Sequence, residues 1–256
     1  MLSANEAKRY ARHIVLKGIG GPGQQKLKGA KVLVVGAGGL GSPLIAYLAA
    51  AGVGTLTIVD DDQVSLSNLQ RQIVHTTNDI GTNKVQSAAR FASELNPEIL
   101  VNQVCARFDL ATGPELVSSH DIVVDGTDRF SSRRQIAEVA EAGQRPLVSG
   151  AVSMFDGQVS VFAPHLTNEQ GEKYPGFRCL YPVVPDDGDL PACEVLGIVG
   201  AVTGVIGTLM AMEVIKLITG IGAPLFGRLL LYDAKAAKFS ELKYARRADA
   251  DLDQRK

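Results

Sequence analysis

The run Lys31-Val32-Leu33-Val34-Val35 ends abruptly in Gly36-Ala37-Gly38-Gly39-Leu40-Gly41. Consecutive aliphatic residues with no polar alternation read as a strand buried on both faces, which needs a parallel sheet with helices above and below. Glycines at 36, 38 and 41 let backbone amides approach a phosphate at a helix N-terminus. A second apolar run, Thr55–Val59, ends in Asp60, where an acid can hold a ribose hydroxyl. The turn alone fits a dinucleotide, another nucleotide, or simply a tight strand–helix junction. No G-x-x-x-x-G-K-[ST] sequence occurs, so a P-loop is excluded as the phosphate cradle.

Apolar periodicity extends the pattern. It predicts a helix over 3–17 broken by the glycines of 18–23, a strand at Val32–Val35, a helix at Leu40–Ala51 and a strand at Thr55–Val59. A helix at Lys84–Leu95 follows, then strands at Ile99–Val104 and Ile122–Val124, a helix at Arg133–Ala142 and a strand at Leu147–Val152. This alternation implies a Rossmann-like, doubly wound, mainly parallel α/β sheet. After residue 150 the pattern changes. Asp156-Gly157 between two apolar runs predicts a hairpin, Pro164–Pro191 reads as a long structureless loop, and Leu229–Tyr232 with Lys238–Leu242 suggests a final hairpin. The expectation is one domain over 1–256. It has a nucleotide-binding core at about 28–155, a crossover loop at about 164–194 and a C-terminal helix and hairpin over 195–245, with antiparallel strands extending the sheet.

A net charge of -1 gives no electrostatic footprint for nucleic acid or an anionic membrane. Three cysteines, Cys105, Cys179 and Cys193, lack the paired spacing of a disulfide framework, and Cys105, in a strand pattern, is expected to be buried and inert. Met1–Glu6 shows no basic region followed by an apolar core, so a reducing cytoplasm is expected. Val195–Met212 is an uncharged stretch of 18 residues, the edge of the length of a membrane span. Its glycines at 197, 200, 204 and 207, and the charges of Glu213 and Lys216 beyond it, favour a core helix packed against a sheet or a second subunit.

Arg12, Arg71 and Lys84 would ordinarily be solvated surface charges. Arg71, however, belongs to the polar stretch Ser67–Gln72 directly beyond a strand end, the edge where doubly wound folds bind ligands. Cations there suit a triphosphate whose leaving group must be stabilised. Asp128 follows the Ile122–Val124 strand at the same edge, where a carboxylate beside phosphates is a natural magnesium ligand. It could equally cap the following helix.

In order along the chain stand Arg9–Leu16, Gly36–Gly41, Asp60–Gln72, Gly81-Thr82-Asn83-Lys84-Val85, Asp125-Gly126-Thr127-Asp128 and Leu147–Ala151. From Arg9 to about Leu242 the chain resembles the bacterial ubiquitin-activating-type adenylyltransferases, the sulfur-carrier activators of molybdopterin and thiazole biosynthesis. The set Asn68, Arg71, Lys84 and Asp128 carries the specificity of the match. The resemblance implies ATP-dependent adenylation of the C-terminal glycine of a small ubiquitin-like sulfur carrier ending in Gly-Gly, with loss of pyrophosphate. Gly36, Gly38, Gly39 and Gly41 would hold the nucleotide, and Asp60, with Asp62 beside it, the ribose. Asn68 and Lys84 would hold phosphates and Asp128 magnesium. Arg12 and Arg71 would reach phosphate from the partner subunit of a homodimer.

Departures from the family pattern also carry expectations. The structural zinc of the family sits on two Cys-x-x-Cys pairs, but here Gly176 replaces the first cysteine before Cys179 and no cysteine follows Cys193, so zinc is not expected. Arg129 stands where the family has asparagine beside the magnesium ligand. Cys193 matches the crossover-loop cysteine that forms a covalent link to the carrier in the thiazole branch and is dispensable in the molybdopterin branch. Other readings keep the fold with a peptide carboxylate or tRNA carbonyl as acceptor, or make the chain an NAD-dependent oxidoreductase or a silent scaffold. The oxidoreductase would leave Arg71 and Lys84 unexplained.

Overall fold

The computed structural model describes residues 1–183 and 197–247. Its eight strands form one sheet in the order β3-β2-β1-β4-β5-β6-β7-β8. Strands β1 (Lys31–Val35), β2 (Thr55–Val59), β3 (Leu100–Val104), β4 (Ile122–Asp125) and β5 (Leu147–Ser153) run parallel. Strands β6 (Asp156–Phe162), β7 (Arg228–Asp233) and β8 (Lys238–Lys243) extend the sheet antiparallel. The α/β class with its antiparallel C-terminal extension is therefore as the sequence implies.

Alternation along β1 shows why both faces must be covered. Val32 and Val34 enter one core with Leu27, Leu44, Ile45, Ala88, Ile206 and Met210. Leu33 and Val35 enter the other with Phe108, Val117, Ile136 and Phe177. The first face is covered by helices α3 (Gly20–Gly29), α4 (Gly41–Ala51) and α5 (Lys84–Leu95) together with α9 (Gly200–Thr219). The second is covered by α6 (Gly113–Ser118), α7 (Phe130–Ala142) and the single turn α8 (Phe177–Leu180).

Helix α9 is long and apolar enough to cross a membrane by length and composition. In the fold it lies on α4, β5 and β6, with Val202, Ile206, Met210 and Val214 buried. It begins at Gly200, five residues later than the apolar run suggests, and residues 195–196 lie outside the described residues. Two of its glycines are close-contact residues: a β-carbon at Gly200 would overlap the Gln70 carbonyl, and one at Gly207 the Leu40 carbonyl and Pro43. Gly204 faces open space instead. Gly207→Ala is expected to destabilise the protein by roughly 1–3 kcal/mol, because neither backbone nor proline can yield cheaply. A thermal melt within a degree of wild type would show that α9 shifts freely on α4.

Several expectations need correction. The predicted helix over 3–17 is two short pieces, α1 (Ala4–Arg9) and α2 (Ala11–Ile14), because Tyr10 leaves helical geometry at ψ 16° and buries its ring. The 18–23 stretch breaks the chain only at its start, where Gly18 has φ +102°. Pro22 then occupies the first turn of α3, where its missing N–H costs nothing, and Gly23 is needed because a β-carbon would lie 3.0 Å from Ile19 Cγ2. Strand pairing of Ser153 with Asp156 puts the hairpin turn at Met154-Phe155, not at Asp156-Gly157. Gly157 is glycine for packing, since a β-carbon there would overlap Ile206.

The predicted structureless loop is ordered through its described part. Asn168 accepts the amides of Gln170 and Glu172 at 3.0 and 2.9 Å, and Tyr174 N–H returns to Leu166 O at 3.0 Å. Tyr174 stacks on Phe226 at 4.4 Å, Phe177 meets Phe162 at 5.5 Å, and the Arg246 guanidinium donates to Tyr174 O at 3.1 Å. Aromatic side chains inside a polar-looking stretch make this order. Cys105, expected buried, lies exposed just beyond β3.

Candidate functional site

Five elements end at one edge of the sheet. The β1–α4 turn makes a close fit with the loop after β4. A β-carbon at Gly36, whose φ is +99°, would lie 2.9 Å from Gly126 O, and one at Gly41 would overlap the Gly36 carbonyl. Side chains at these two positions would push the amides of 37–41 out of place, so the glycines are fixed by geometry. Gly39 is close-packed as well: its β-carbon would lie 3.1 Å from Thr203 Cγ2 and 3.5 Å from Arg71 Cδ. Gly38 borders the Gln72 amide at 3.7 Å.

Asp60, half-buried at the end of β2, accepts the Ala37 amide at 2.7 Å and the Asp62 amide at 2.9 Å. Burial pushes its carboxyl above the ordinary range, and the Lys84 charge opposes this. Lys84 begins α5, is 6% exposed, and reaches Asp62 at 2.7 Å. Asp62 is thus the counter-ion of Lys84 in the structure. The carboxylates of Asp60, Asp61 and Asp62 lie within 4.8 Å of one another. Asp60 is committed to backbone amides and Asp62 to Lys84.

Asn68 lies buried in a short 3₁₀ turn, where its side-chain oxygen accepts the Ser65 amide at 3.3 Å. Arg71 donates to Ser67 O at 3.1 Å while its stem lies against Gly39. Within the single chain, Arg71 therefore lies beside the glycine turn of its own site. Asp128 is exposed and, among the described residues, takes no hydrogen bond or ion pair. The cap of α7 is Arg129, so helix capping does not account for Asp128. Its turn is pinned from behind: fully buried Asp125 accepts Thr127 N–H at 3.0 Å and the hydroxyls of Thr127 and Ser149 at 2.6 and 2.8 Å, and Arg133 donates to Thr127 O at 2.7 Å. An exposed, unengaged carboxylate held rigidly beside the glycine turn fits a magnesium ligand.

Arg12 does not join this group. Its neighbours are anchored at the far end of α4. The Tyr10 ring lies against Gly52 and its hydroxyl accepts from Asn96 at 2.8 Å, while His13 bonds Gln24 at 2.9 Å, which in turn donates to Ala51 O at 2.9 Å. Helix α4 separates that end from the glycine turn by about 16 Å. Cys193 lies outside the described residues.

The site also uses residues to which the sequence reading gave no role. Gln72 and Ser42 are buried around the glycine turn, and Gln72 Oε1 and Ser42 Oγ have no partner among the described residues. Gln72 directly follows Arg71 and Ser42 directly follows Gly41, adjacency that was the available signal. Buried Asp125 and Arg133 carry no such signal, since their work is to hold Asp128.

Among the described residues, the segment around Gly176 offers a single thiolate, Cys179, as a zinc ligand. Cys179 Sγ accepts the Arg247 amide at 3.5 Å, and Tyr244, near the chain's return to this segment, bonds Ser160 at 2.7 Å. Burial pushes the Tyr244 hydroxyl well above its ordinary range, so it is no anionic ligand. One thiolate cannot build a four-ligand site. Purified protein is expected to carry no stoichiometric zinc, and chelation to leave its melting temperature unchanged. One zinc per chain by elemental analysis would require ligands outside the described residues.

The ThiF family profile matches residues 10–252. The chain is 44% identical over 241 residues to the sulfur carrier protein adenylyltransferase of Thermus thermophilus, covering 94% of this chain and 88% of that protein. It is 41% identical over 251 residues to the molybdopterin-synthase adenylyltransferase of Escherichia coli, covering 98% of each. Among solved structures, E. coli MccB with MccA-N7isoASN superimposes with a TM-score of 0.80 over 96% of this chain and 73% of that one, at 22% identity, a likeness of fold.

Proposed function

The chain belongs to the ThiF family, and on that premise we propose that it adenylates the C-terminal glycine carboxylate of a small ubiquitin-like sulfur carrier. The observation that carries this reading is the glycine turn itself, with its Ala37 amide held by Asp60 and the Arg71 stem lying against Gly39. The loop that leads to Asp128 packs against Gly36, and Lys84 is paired to Asp62 beside Asp60. A nicotinamide enzyme would have no use for two cations and a free carboxylate at that point. Relatives named for a sulfur carrier and for molybdopterin synthase support the acceptor, and we propose molybdopterin or thiamine-thiazole biosynthesis as the process it serves.

The reaction joins a carrier carboxylate oxygen to the α-phosphorus of ATP and breaks the bond from that phosphorus to the bridging oxygen of pyrophosphate. No proton need move, so the protein's task is orientation and charge. Backbone amides of 38–41 face the phosphates at the N-terminus of α4, the Ala37 amide being held by Asp60, which offers its remaining lone pairs to the ribose hydroxyls. Lys84 leaves Asp62 for phosphate oxygen, and Arg71, already lying on the turn, needs only to release Ser67 O. Asn68 directs its amide to the same phosphates. Asp128 would hold magnesium, which when bound offsets the charge that accumulates on leaving pyrophosphate.

A homodimer completes the site in this proposal. Arg12 is stranded at the far end of α4, with exposed Val15 and Leu16 beside it, and α9 leaves Ala201, Gly204, Thr208 and Met212 on a small, apolar outer stripe. Those surfaces suit a second copy that delivers its Arg12. The reducing cytoplasm remains the compartment proposed. The deciding experiment is ATP–pyrophosphate exchange with magnesium and a panel of small carriers ending in Gly-Gly. Exchange dependent on such a carrier is expected. Exchange equally fast with carriers lacking the terminal glycine would defeat the assignment of the acceptor.

A further inference from the structure

His75 is 5% exposed and sits behind the glycine turn, away from any surface the reaction uses. Its Nε2 lies 3.0 Å from the Ala37 carbonyl, which can only accept, so Nε2 carries the hydrogen. Nδ1 is then an acceptor, filled by the Ser87 hydroxyl at 2.8 Å. Ala37 is consequently pinned on both sides of its residue, its amide by Asp60 at 2.7 Å and its carbonyl by His75. Ser87 follows Lys84 by three residues in α5, on the same helical face. The backbone of His75 adds a third tie, donating to Gln72 O at 3.0 Å. One residue therefore links three pieces, its imidazole joining the phosphate turn to the helix that carries Lys84 and its backbone amide reaching the Asn68–Gln72 loop.

We propose that His75 is a positioning residue for the nucleotide: its neutral ring sets the spacing between the glycine-turn amides and Lys84 that ATP phosphates require. Lys84 and Asp60 are the charged groups that face the ring. Burial, helped by the Lys84 charge, lowers its pKa against the opposing pull of the Ala37 hydrogen bond and Asp60, so the neutral tautomer drawn by the hydrogen bonds is favoured. Any buried imidazole needs both nitrogens satisfied; what singles out His75 is that its acceptor is the carbonyl of the phosphate turn and its donor the Ser87 hydroxyl on the helix that carries Lys84.

The proposal rests on the adenylation reading, and its test needs no carrier. Affinity for α,β-methylene-ATP with magnesium is measured by calorimetry, well below the melting temperature, for wild type and three variants. Glutamine can place an amide N–H near the Nε2 position, whereas asparagine reaches only the Nδ1 position. His75→Ala is expected to weaken binding about ten-fold, from an unpaired Ala37 carbonyl and a turn free to drift. His75→Gln should restore affinity to within about two-fold, and His75→Asn should resemble alanine. Unchanged affinity in folded His75→Ala overturns the proposal. So do equal affinities in the glutamine and asparagine variants, which decide the matter if alanine does not fold. Failure of all three to fold would also overturn it, since a purely structural role would then suffice. Wild-type protein that bound no analogue would instead defeat the nucleotide reading itself, and this proposal with it.

Discussion

Asp128→Ala is expected to reduce carrier-dependent pyrophosphate exchange by at least about 100-fold while leaving the melting temperature unchanged. Both halves follow from its placement. Asp128 is exposed and unbonded among the described residues, so its removal breaks no contact that holds the fold. Its turn is supported by Asp125 and Arg133, neither of which changes. The carboxylate is therefore available for a metal, and in its absence the leaving phosphates lose the charge that offsets theirs. Exchange at the wild-type rate with saturating magnesium would remove Asp128 from the site. A large fall in melting temperature would mean that the Thr127–Arg129 turn depends on the carboxylate after all.

The parallel core was legible because buried strands announce themselves. Val32–Val35 and Thr55–Val59 are apolar on both faces, and only a sheet covered on both sides accommodates that. Elements whose composition conflicts with their structure were not legible. Helix α3 opens on Gly-Gly-Pro-Gly, which reads as a break, and it forms because Leu27 and Gln24 bury against neighbouring elements. Asp156-Gly157 imitates a turn because Gly157 has to pass beneath Ile206. In both cases tertiary contact determined a glycine that local rules assign to the backbone.

The site divides along the same line. Asp60, Arg71, Lys84 and Asp128 were visible as charged residues just beyond apolar strands, where a doubly wound sheet exposes its ligand edge. The role of His75 was invisible because it works on another residue rather than on a ligand, and Ala37 O is a backbone atom with no sequence signature. Asp125 stood in one of the family segments, but its supporting role did not show there. The family resemblance supplied the arginines and implied that both reach in from a partner subunit. In the single chain, the Arg71 stem lies against Gly39.

That contact makes the two arginines separable in a mixing experiment. Arg12→Ala and Asp128→Ala proteins, each inactive alone, are expected to regain activity when mixed under conditions that exchange subunits. In a hybrid dimer the Arg12→Ala chain keeps its own Asp128 and receives Arg12 from its partner, so one of the two sites is whole. Random pairing of equal amounts makes about half the dimers hybrids, so recovery should approach about a quarter of wild-type activity. Arg71→Ala mixed with Asp128→Ala should recover nothing, because Arg71 lies on the glycine turn of its own chain and each hybrid site lacks one group or the other. The reverse result, recovery with Arg71 and none with Arg12, would mean that the turn closes on the partner's arginine once nucleotide binds. Recovery with neither pair, in a preparation shown to contain hybrids, would place the whole site in one chain. The inactivity of Arg12→Ala would then come from disturbance of its own chain, where Tyr10 and His13 anchor the segment to the far end of α4, and not from a contact with the partner's nucleotide.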